Sequence, residues 1–449
     1  MPLLRLLGFS ARGLRRLHST AAAAMDSDSS WSWYMLEKMT MAVRSAAPGP
    51  SVAFANPPGV SRLRVPAHFL AKASRRSRSL PCPEPEGDVV LRLHTAQASC
   101  SSQDGLLLLS CEDVRLGAPA FGKPGPGNRE RRLAGITNPD GFIPDMTHFV
   151  LNPLTRELSP SLPDIQGPRN SFQLGLLTEA DGGCGPPDRF AVAKLEDRSI
   201  LRFLSETGKW EDARCSPCQL PSARRIVPNQ ETLAWNGMLW WVDVTWGAVF
   251  ADPFIDRLEP RFVELPSGSV LPADAFDEVF RQWSQLPDAE EDIWWMPLPV
   301  MFRHVGVSGG WLRYVEVSQE EPFVLSSFAI DEDGSGWTLE NRVVLCRIWA
   351  AADGAHPWLP LRGKMTPQIS VLHPFDSNVV HLIVGEHIVV VDMEKREVIG
   401  HCPCQSSDIY FVPCVLSPWL PTTRIPSAGK KDATKKKTLA DVLVRSDRR

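Results

Sequence analysis

A short apolar strand, a polar turn and a second apolar strand recur along this chain of 449 residues. The unit appears at residues 149–162 (FVLNPLTRELSPSL) and 200–210 (ILRFLSETGKW). It returns at 233–265, 311–317, 323–344 and 379–399. A lone hairpin cannot bury its apolar side, so a series of them must stack. Spacing of this kind predicts antiparallel hairpins gathered into an all-β fold, and most directly a β-propeller. The clearest hairpin is LAWNGMLWW, because Asn236-Gly237 suits the type I′ turn whose twist matches paired strands. Helical periodicity is rare, the main exception being a stretch near residues 274–285.

At roughly 45–50 residues per blade, the pattern predicts six or seven small antiparallel blades over residues 88–420. Residues 25–87 read as an irregular N-terminal segment that docks on the main body with one or two edge strands. Pro at 40 and Gly at 31 make up about 16% of the chain, above the roughly 12% expected, which fits many turns. No run of 18 apolar residues occurs, so no membrane span is expected.

The net charge of −4 is unevenly spread. From Arg424 onward there are nine basic and three acidic residues, which leaves about −10 for the remainder. The globular part is therefore not expected to bind nucleic acid. Residues 421–449 read as a basic disordered tail. Its Lys430-Lys431 and Lys435-Lys436-Lys437 clusters have the composition of a nuclear address. Residues 1–24 hold Arg5, Arg12, Arg15 and Arg16 and no acid, the composition of a transit peptide. They point to the mitochondrion. The alternative is a nuclear or cytoplasmic protein whose translation begins at Met25. The ten Cys form no dense framework, so reduced thiols are expected.

Several motifs invite a chemical reading. Residues 306–310 (GVSGG) match Gly-x-Ser-x-Gly, but a strand rather than a helix follows, so a hairpin turn is expected. Asp331, Asp333 and Ser335 have the spacing of half a calcium loop. The twelfth position is Arg342 and no helices flank it, so a solvated turn is expected. Cys215, Cys218, Cys402, Cys404, Cys414 and His401 together would supply zinc ligands only if the fold gathered them. Small buried cysteines are the simpler expectation. Fifteen Trp against three Tyr suggest either an aromatic groove or packing between blades. Packing is expected for Trp235, Trp240, Trp241, Trp246, Trp294, Trp295, Trp311 and Trp337. Phosphate-binding glycine loops and paired acid–base groups are absent. No catalytic residue, metal ligand or cofactor is assigned.

Four segments carry a family resemblance: DSSWSWYMLE, FVLNPLTRELSPSLPD, LAWNGMLWWVDVTWGAVFADPF and ISVLHPFDSNVVHLIVGEHIVVVDMEKREVIG. The chain resembles plant proteins carrying domain of unknown function 1618, a family expanded in grasses, over roughly residues 30–420. It is also similar to the β-propeller modules that follow F-boxes in plant ubiquitin-ligase adaptors, although it has no F-box helices before the repeat. The resemblance implies structure rather than chemistry. The expected function is a non-enzymatic, monomeric protein-interaction scaffold with an unknown protein partner. One alternative is a substrate-recognition subunit for ubiquitin ligation that lacks its own F-box. Another is an enzyme or sugar-binding propeller with a central pocket.

Overall fold

The structure, a computed structural model, describes residues 32–73, 89–117, 145–165, 173–181, 183, 185–197, 199–215, 220–221, 224–273, 298–352, 366–404 and 411–427. The chain opens with β1 (Ser32–Glu37), β2 (Met39–Met41), β3 (Ser51–Ala53), β4 (Val60–Arg64) and helix α1 (Ala67–Ala73). Blade 1 joins β2 to β5 (Val89–Ser101), β6 (Leu107–Gly117) and β7 (Asp145–Leu151). Blade 2 is β8 (Gly175–Glu179), β9 (Arg189–Leu195), β10 (Ser199–Leu204) and β11 (Lys209–Arg214). Blade 3 is β12 (Leu233–Trp235), β13 (Met238–Asp243), β14 (Gly247–Ala251) and β15 (Arg261–Glu264). After α2 (Pro299–Phe302), blade 4 is β16 (Arg303–Ser308), β17 (Trp311–Val317), β18 (Val324–Ile330) and β19 (Trp337–Val344). After α3 (Leu345–Ala351), blade 5 is β20 (Gln368–Leu372), β21 (Val379–Val384), β22 (His387–Asp392) and β23 (Glu397–Pro403). β24 (Phe411–Leu416) completes blade 6, in the order β24-β1-β4-β3.

Six apolar clusters fill the gaps between successive blades and close the ring. Leu108 and Val150 meet Leu176 and Phe203 between blades 1 and 2. Leu177 and Ile200 meet Leu239 and Trp241 between blades 2 and 3. Trp240 and Phe250 meet Leu312 and Tyr314 between blades 3 and 4. Val315 and Leu325 meet Leu382 and Val391 between blades 4 and 5. Val371, Ile383 and Ile388 meet Met35 and Phe411 between blades 5 and 6. Tyr34, Leu36 and Val412 meet Ala98, Leu107 and Leu109 between blades 6 and 1. Successive strand residues point to opposite faces, and both faces of a blade are covered. The runs GLLLLS, MLWWVD and VVHLIV are therefore unbroken, since every side chain in them has a neighbouring blade to bury against.

The fold is thus a six-bladed propeller, at the lower of the two expected blade counts. The N-terminal segment does more than the irregular docking expected of it. β1 pairs along its length with β24, from Ser32 opposite Leu416 to Glu37 opposite Phe411, and also pairs in parallel with β4. The first and last strands of the ring therefore share one sheet. The helical stretch expected near residues 274–285, residues 428–449 of the basic tail expected over 421–449 and residues 1–24 lie outside the described residues, whereas residues 421–427 pack on the body, with Thr423 and Ile425 buried.

A repeated polar device follows β7 in blade 1 and ends the third strand of blades 2 to 5. Asn152, Ser205, Asp252, Asp331 and Asp392 stand there in turn. Asn152 Oδ1 accepts from the Leu154 and Thr155 N–H groups at 3.1 and 3.2 Å. Asp252 Oδ1 accepts from Phe254 N–H at 2.8 Å, and Asp392 Oδ1 from Lys395 N–H at 2.9 Å. Short polar side chains mimic a backbone turn in this way. The hairpin at Asn236-Gly237 has φ of 53° and 71°, the doubly left-handed geometry that asparagine and glycine tolerate.

Candidate functional site

Strands β5, β8, β12, β16, β20 and β24 lie side by side around the axis. Each presents a backbone edge inward, and on β5 the short strand β2 pairs with that edge at Thr95 to Gln97. Side chains from neighbouring blades cover part of these edges. Gln230 Nε2 donates to Val305 O at 2.7 Å, and its Oε1 accepts from Val305 N–H at 2.9 Å, so one amide caps the edge of β16. Thr232 Oγ1 donates to Gln173 O at 3.0 Å, and Ser101 Oγ to Pro413 O at 3.0 Å.

Within this frame, side chains from several blades converge. Glu231 leads into β12, His304 lies on β16, Cys100 on β5 and Cys414 on β24, while Lys38 joins β1 to β2. Glu231 Oε1 is 3.6 Å from His304 Nε2, and both side chains are buried. That distance is too long for a hydrogen bond, and Glu231 Oε1 has no hydrogen-bond partner. Burial holds the His304 imidazole below its ordinary range; Glu231 opposes this and Lys38 adds to it. Burial pushes Cys100 and Cys414 up to about 12. Both are therefore thiols at neutral pH, which removes them as nucleophiles. One carboxylate and one neutral imidazole converge here.

The sequence-predicted motifs resolve as follows. Gly306 to Gly310 is the β16–β17 hairpin, with strands on both sides. The Ser308 hydroxyl is buried and donates to Asp376 O at 3.2 Å. Asp331 Oδ1 accepts from Thr338 Oγ1 at 2.8 Å, and Asp333 Oδ1 accepts from Ser335 N–H at 3.0 Å and Ser335 Oγ at 2.6 Å. Those oxygens are spent inside the turn. The cysteines stay apart: Cys215 packs between blades 2 and 3, Cys402 and Cys404 between 5 and 6, and Cys414 between 6 and 1. Cys218 lies outside the described residues. Among the described residues, no group of three or more His, Cys, Asp or Glu is placed to hold a metal ion. Trp235, Trp240, Trp241 and Trp246 are buried packing residues, and Trp240 stacks on Phe250 at 4.0 Å. Trp311 and Trp337 are half-buried, and Trp294 and Trp295 lie outside the described residues. No described helix is long and apolar enough to cross a membrane. Lys38, Glu231 and His304 were not singled out from the sequence, because no spacing marks residues that meet only when the ring closes.

A second imidazole group carries a pH prediction. His381 on β21 is buried, with its ring 5.4 Å from Trp33 and 6.1 Å from His373. Burial, and then the charge of His373, takes its pKa down to about 3. The unfolded side chain titrates near 6.5, so between these values the unfolded chain binds a proton that the folded chain refuses. Stability therefore falls as pH drops below about 6.5. At pH 4.5 the cost reaches about 2–3 kcal/mol. His381→Leu is expected to flatten the decline in urea stability between pH 7.5 and 4.5 by that amount. An unchanged slope would rule the assignment out.

Comparison with known proteins gives a family match over part of the chain. Residues 241–381 match the family model described as protein of unknown function (DUF1618). The matched stretch starts inside β13 and ends inside β21, so it spans blade 4 and parts of blades 3 and 5. No curated protein matches the chain. Among solved structures, the β-propeller domain of Cps50 (Swd1) from Myceliophteria thermophila is similar at 8% identity and a TM-score of 0.31, over 73% of this chain and 90% of that one. Apo AztD from Citrobacter koseri is similar at 11% identity and a TM-score of 0.30, over 72% and 83%. A putative 6-phosphogluconolactonase from Bacteroides fragilis is similar at 8% identity and a TM-score of 0.29, over 86% and 99%.

Proposed function

We propose that this protein is a non-enzymatic interaction scaffold that holds a protein partner on one face of the ring. The carrying observation is an exposed apolar pair at the edge of blade 3. Val227 is 57% exposed and Val270 37% exposed. Both flank the turn between β13 and β14: Val227 N–H donates to Asp243 Oδ2 at 3.2 Å, and Leu271 N–H to Thr245 O at 2.8 Å. Arg224 anchors the same place, with its guanidinium 5.4 Å from the Trp246 ring centre and donating to Leu271 O at 2.9 Å. A fixed backbone thus presents apolar side chains beside an arginine and an aromatic ring, a composition favoured at interfaces. The connections that lead from the last strand of one blade to the first of the next leave at this face. The opposite face carries tight turns such as 236–237, 309–310 and 331–336. Function on a rigid β scaffold concentrates in such connections.

The axial group lends the enzyme reading less support, since its thiols are neutral and its carboxylate stands beside a single imidazole. The test is proximity labelling with four substitutions. Val227→Asp with Val270→Asp is expected to remove the partner set. Ile255→Asp with Phe375→Asp, which changes equally exposed side chains on the opposite face, is expected to keep it. The reverse pattern would overturn the proposal, and recovery of ubiquitin-ligase subunits would favour a substrate receptor. Residues 1–24 carry the further proposal of a mitochondrial location. Imaging the full chain beside one starting at Met25 tests it, and identical distributions would refute it.

A further inference from the structure

We propose that the axial group binds a small zwitterion, the charge pattern of a free α-amino acid, with Glu231 taking the ammonium and Lys38 the carboxylate. Glu231 is held from both sides. Gln230 is bonded twice to the backbone of Val305 in blade 4, and Thr232 Oγ1 donates to Gln173 O at the entry to blade 2. Lys38 is fixed at the inner edge of blade 1, where its backbone O accepts from Ala98 N–H at 2.9 Å. Both side chains therefore leave from backbone that the ring itself positions.

Two buried polar atoms at this level have no hydrogen-bond partner. Glu231 Oε1 is one, in a side chain only 6% exposed. Ser370 Oγ on β20 is the other, in a residue 2% exposed. Gly309 N–H donates to Pro374 O at 2.9 Å, and a β-carbon on Gly306 would lie 3.7 Å from that of Leu372, so β16 and β20 run side by side in the same direction. That register sets Ser370 at the level of His304, whose Nε2 is 3.6 Å from Glu231 Oε1. Ser370 is also the extra residue of a bulge, between Ile369 opposite Leu382 and Val371 opposite His381, and bulges re-aim side chains. Burial keeps His304 neutral, and among the described residues no ion pair joins Lys38 to Glu231. A buried carboxylate oxygen without a partner is costly to keep. Opposite charges that come near the axis and do not meet match a molecule that carries both. A neutral polyol would leave them uncompensated. Among the described residues no three His, Cys, Asp or Glu gather, so the donor set is too small for a metal ion.

The test is calorimetric titration of the full chain with each common α-amino acid, of which at least one is expected to bind at one site per chain. Its analogues lacking the ammonium or lacking the carboxylate should each bind about 10-fold or more weakly, the worth of one charged hydrogen bond. Glu231→Gln should weaken the amino acid by the same factor and leave the analogue without an ammonium unchanged. Lys38→Met should do likewise for the analogue without a carboxylate. Matched losses of this kind cannot come from misfolding. Glu231→Gln relieves an unpartnered buried oxygen, so its urea midpoint should be no lower than that of the natural chain. Glu320→Gln, on the exposed loop between β17 and β18, should change nothing. Absence of binding by every amino acid would overturn the proposal and leave water as the occupant. So would losses that fail to match, or equal affinity for the C-terminal amide of the amino acid, which would point to a peptide N-terminus instead.

Discussion

A chain that stops after Cys404 is expected to yield no folded monomer. The cut removes β24, the innermost strand of blade 6, and leaves β1 without its partner. Phe411, Val412 and Leu420 are lost from the core, and Tyr34, Met35 and Leu36, all within 2% of full burial, are uncovered. At ~1.5–3 kcal/mol for each large apolar side chain, the six together are worth about 9–18 kcal/mol. Typical domain stability is only about 5–15 kcal/mol, so the loss is as large as the whole of it. Size-exclusion chromatography and urea unfolding would show aggregation and no cooperative transition. Adding a peptide of residues 405–427 should restore a cooperative transition. A truncated chain that unfolds cooperatively by itself would contradict the closure described here.

Trp240→Ala should produce the largest loss among single substitutions at the blade 3–4 junction. The ring is 2% exposed, stacks on Phe250 at an interplanar angle of 14°, and lies 5.6 Å from Trp235. Its Nε1 donates to Trp235 O at 3.3 Å. Removing a buried indole from such a layer costs about 3–5 kcal/mol, because neighbours bound into two separate sheets cannot collapse into the cavity. Trp337→Ala removes a half-buried ring whose Nε1 donates to Glu264 O at 2.8 Å, and about 1–2 kcal/mol is expected. Urea midpoints at constant m-value would measure both. Equal losses would show that the aromatic layer acts as a wetted surface.

The propeller was legible in the sequence where its logic is local. Hairpins such as 233–243 and 379–392 announce themselves through contiguous apolar runs and a tight turn. The Asn152, Asp252 and Asp392 turns repeat because the same reversal recurs, after β7 in blade 1 and after the third strand of blades 3 and 5. Blade 6 was hidden for the opposite reason. β3 and β4 are short, and the partner of β1 stands at the far end of the chain, so no local pattern marks the sheet. The blade count was therefore open by one. The axial group was illegible on the same grounds. Glu231, His304 and Lys38 carry no shared spacing, and only the closed ring brings their charges within reach. Trp235, Trp240, Trp241 and Trp246 were readable as packing, because large apolar rings in strands covered on both faces have little other place to go.

The pairing of β1 with β24 also sets an order of events during synthesis. Of the described strands, β1 is the first to leave the ribosome and its partner is the last. At ~5–20 residues per second, the hydrogen-bonding edge of β1 waits on the order of tens of seconds for its mate. A nascent chain in that state offers an open β-edge to any strand nearby, including one on a neighbouring ribosome. Efficient production of this protein thus depends on whatever shields that edge until translation ends.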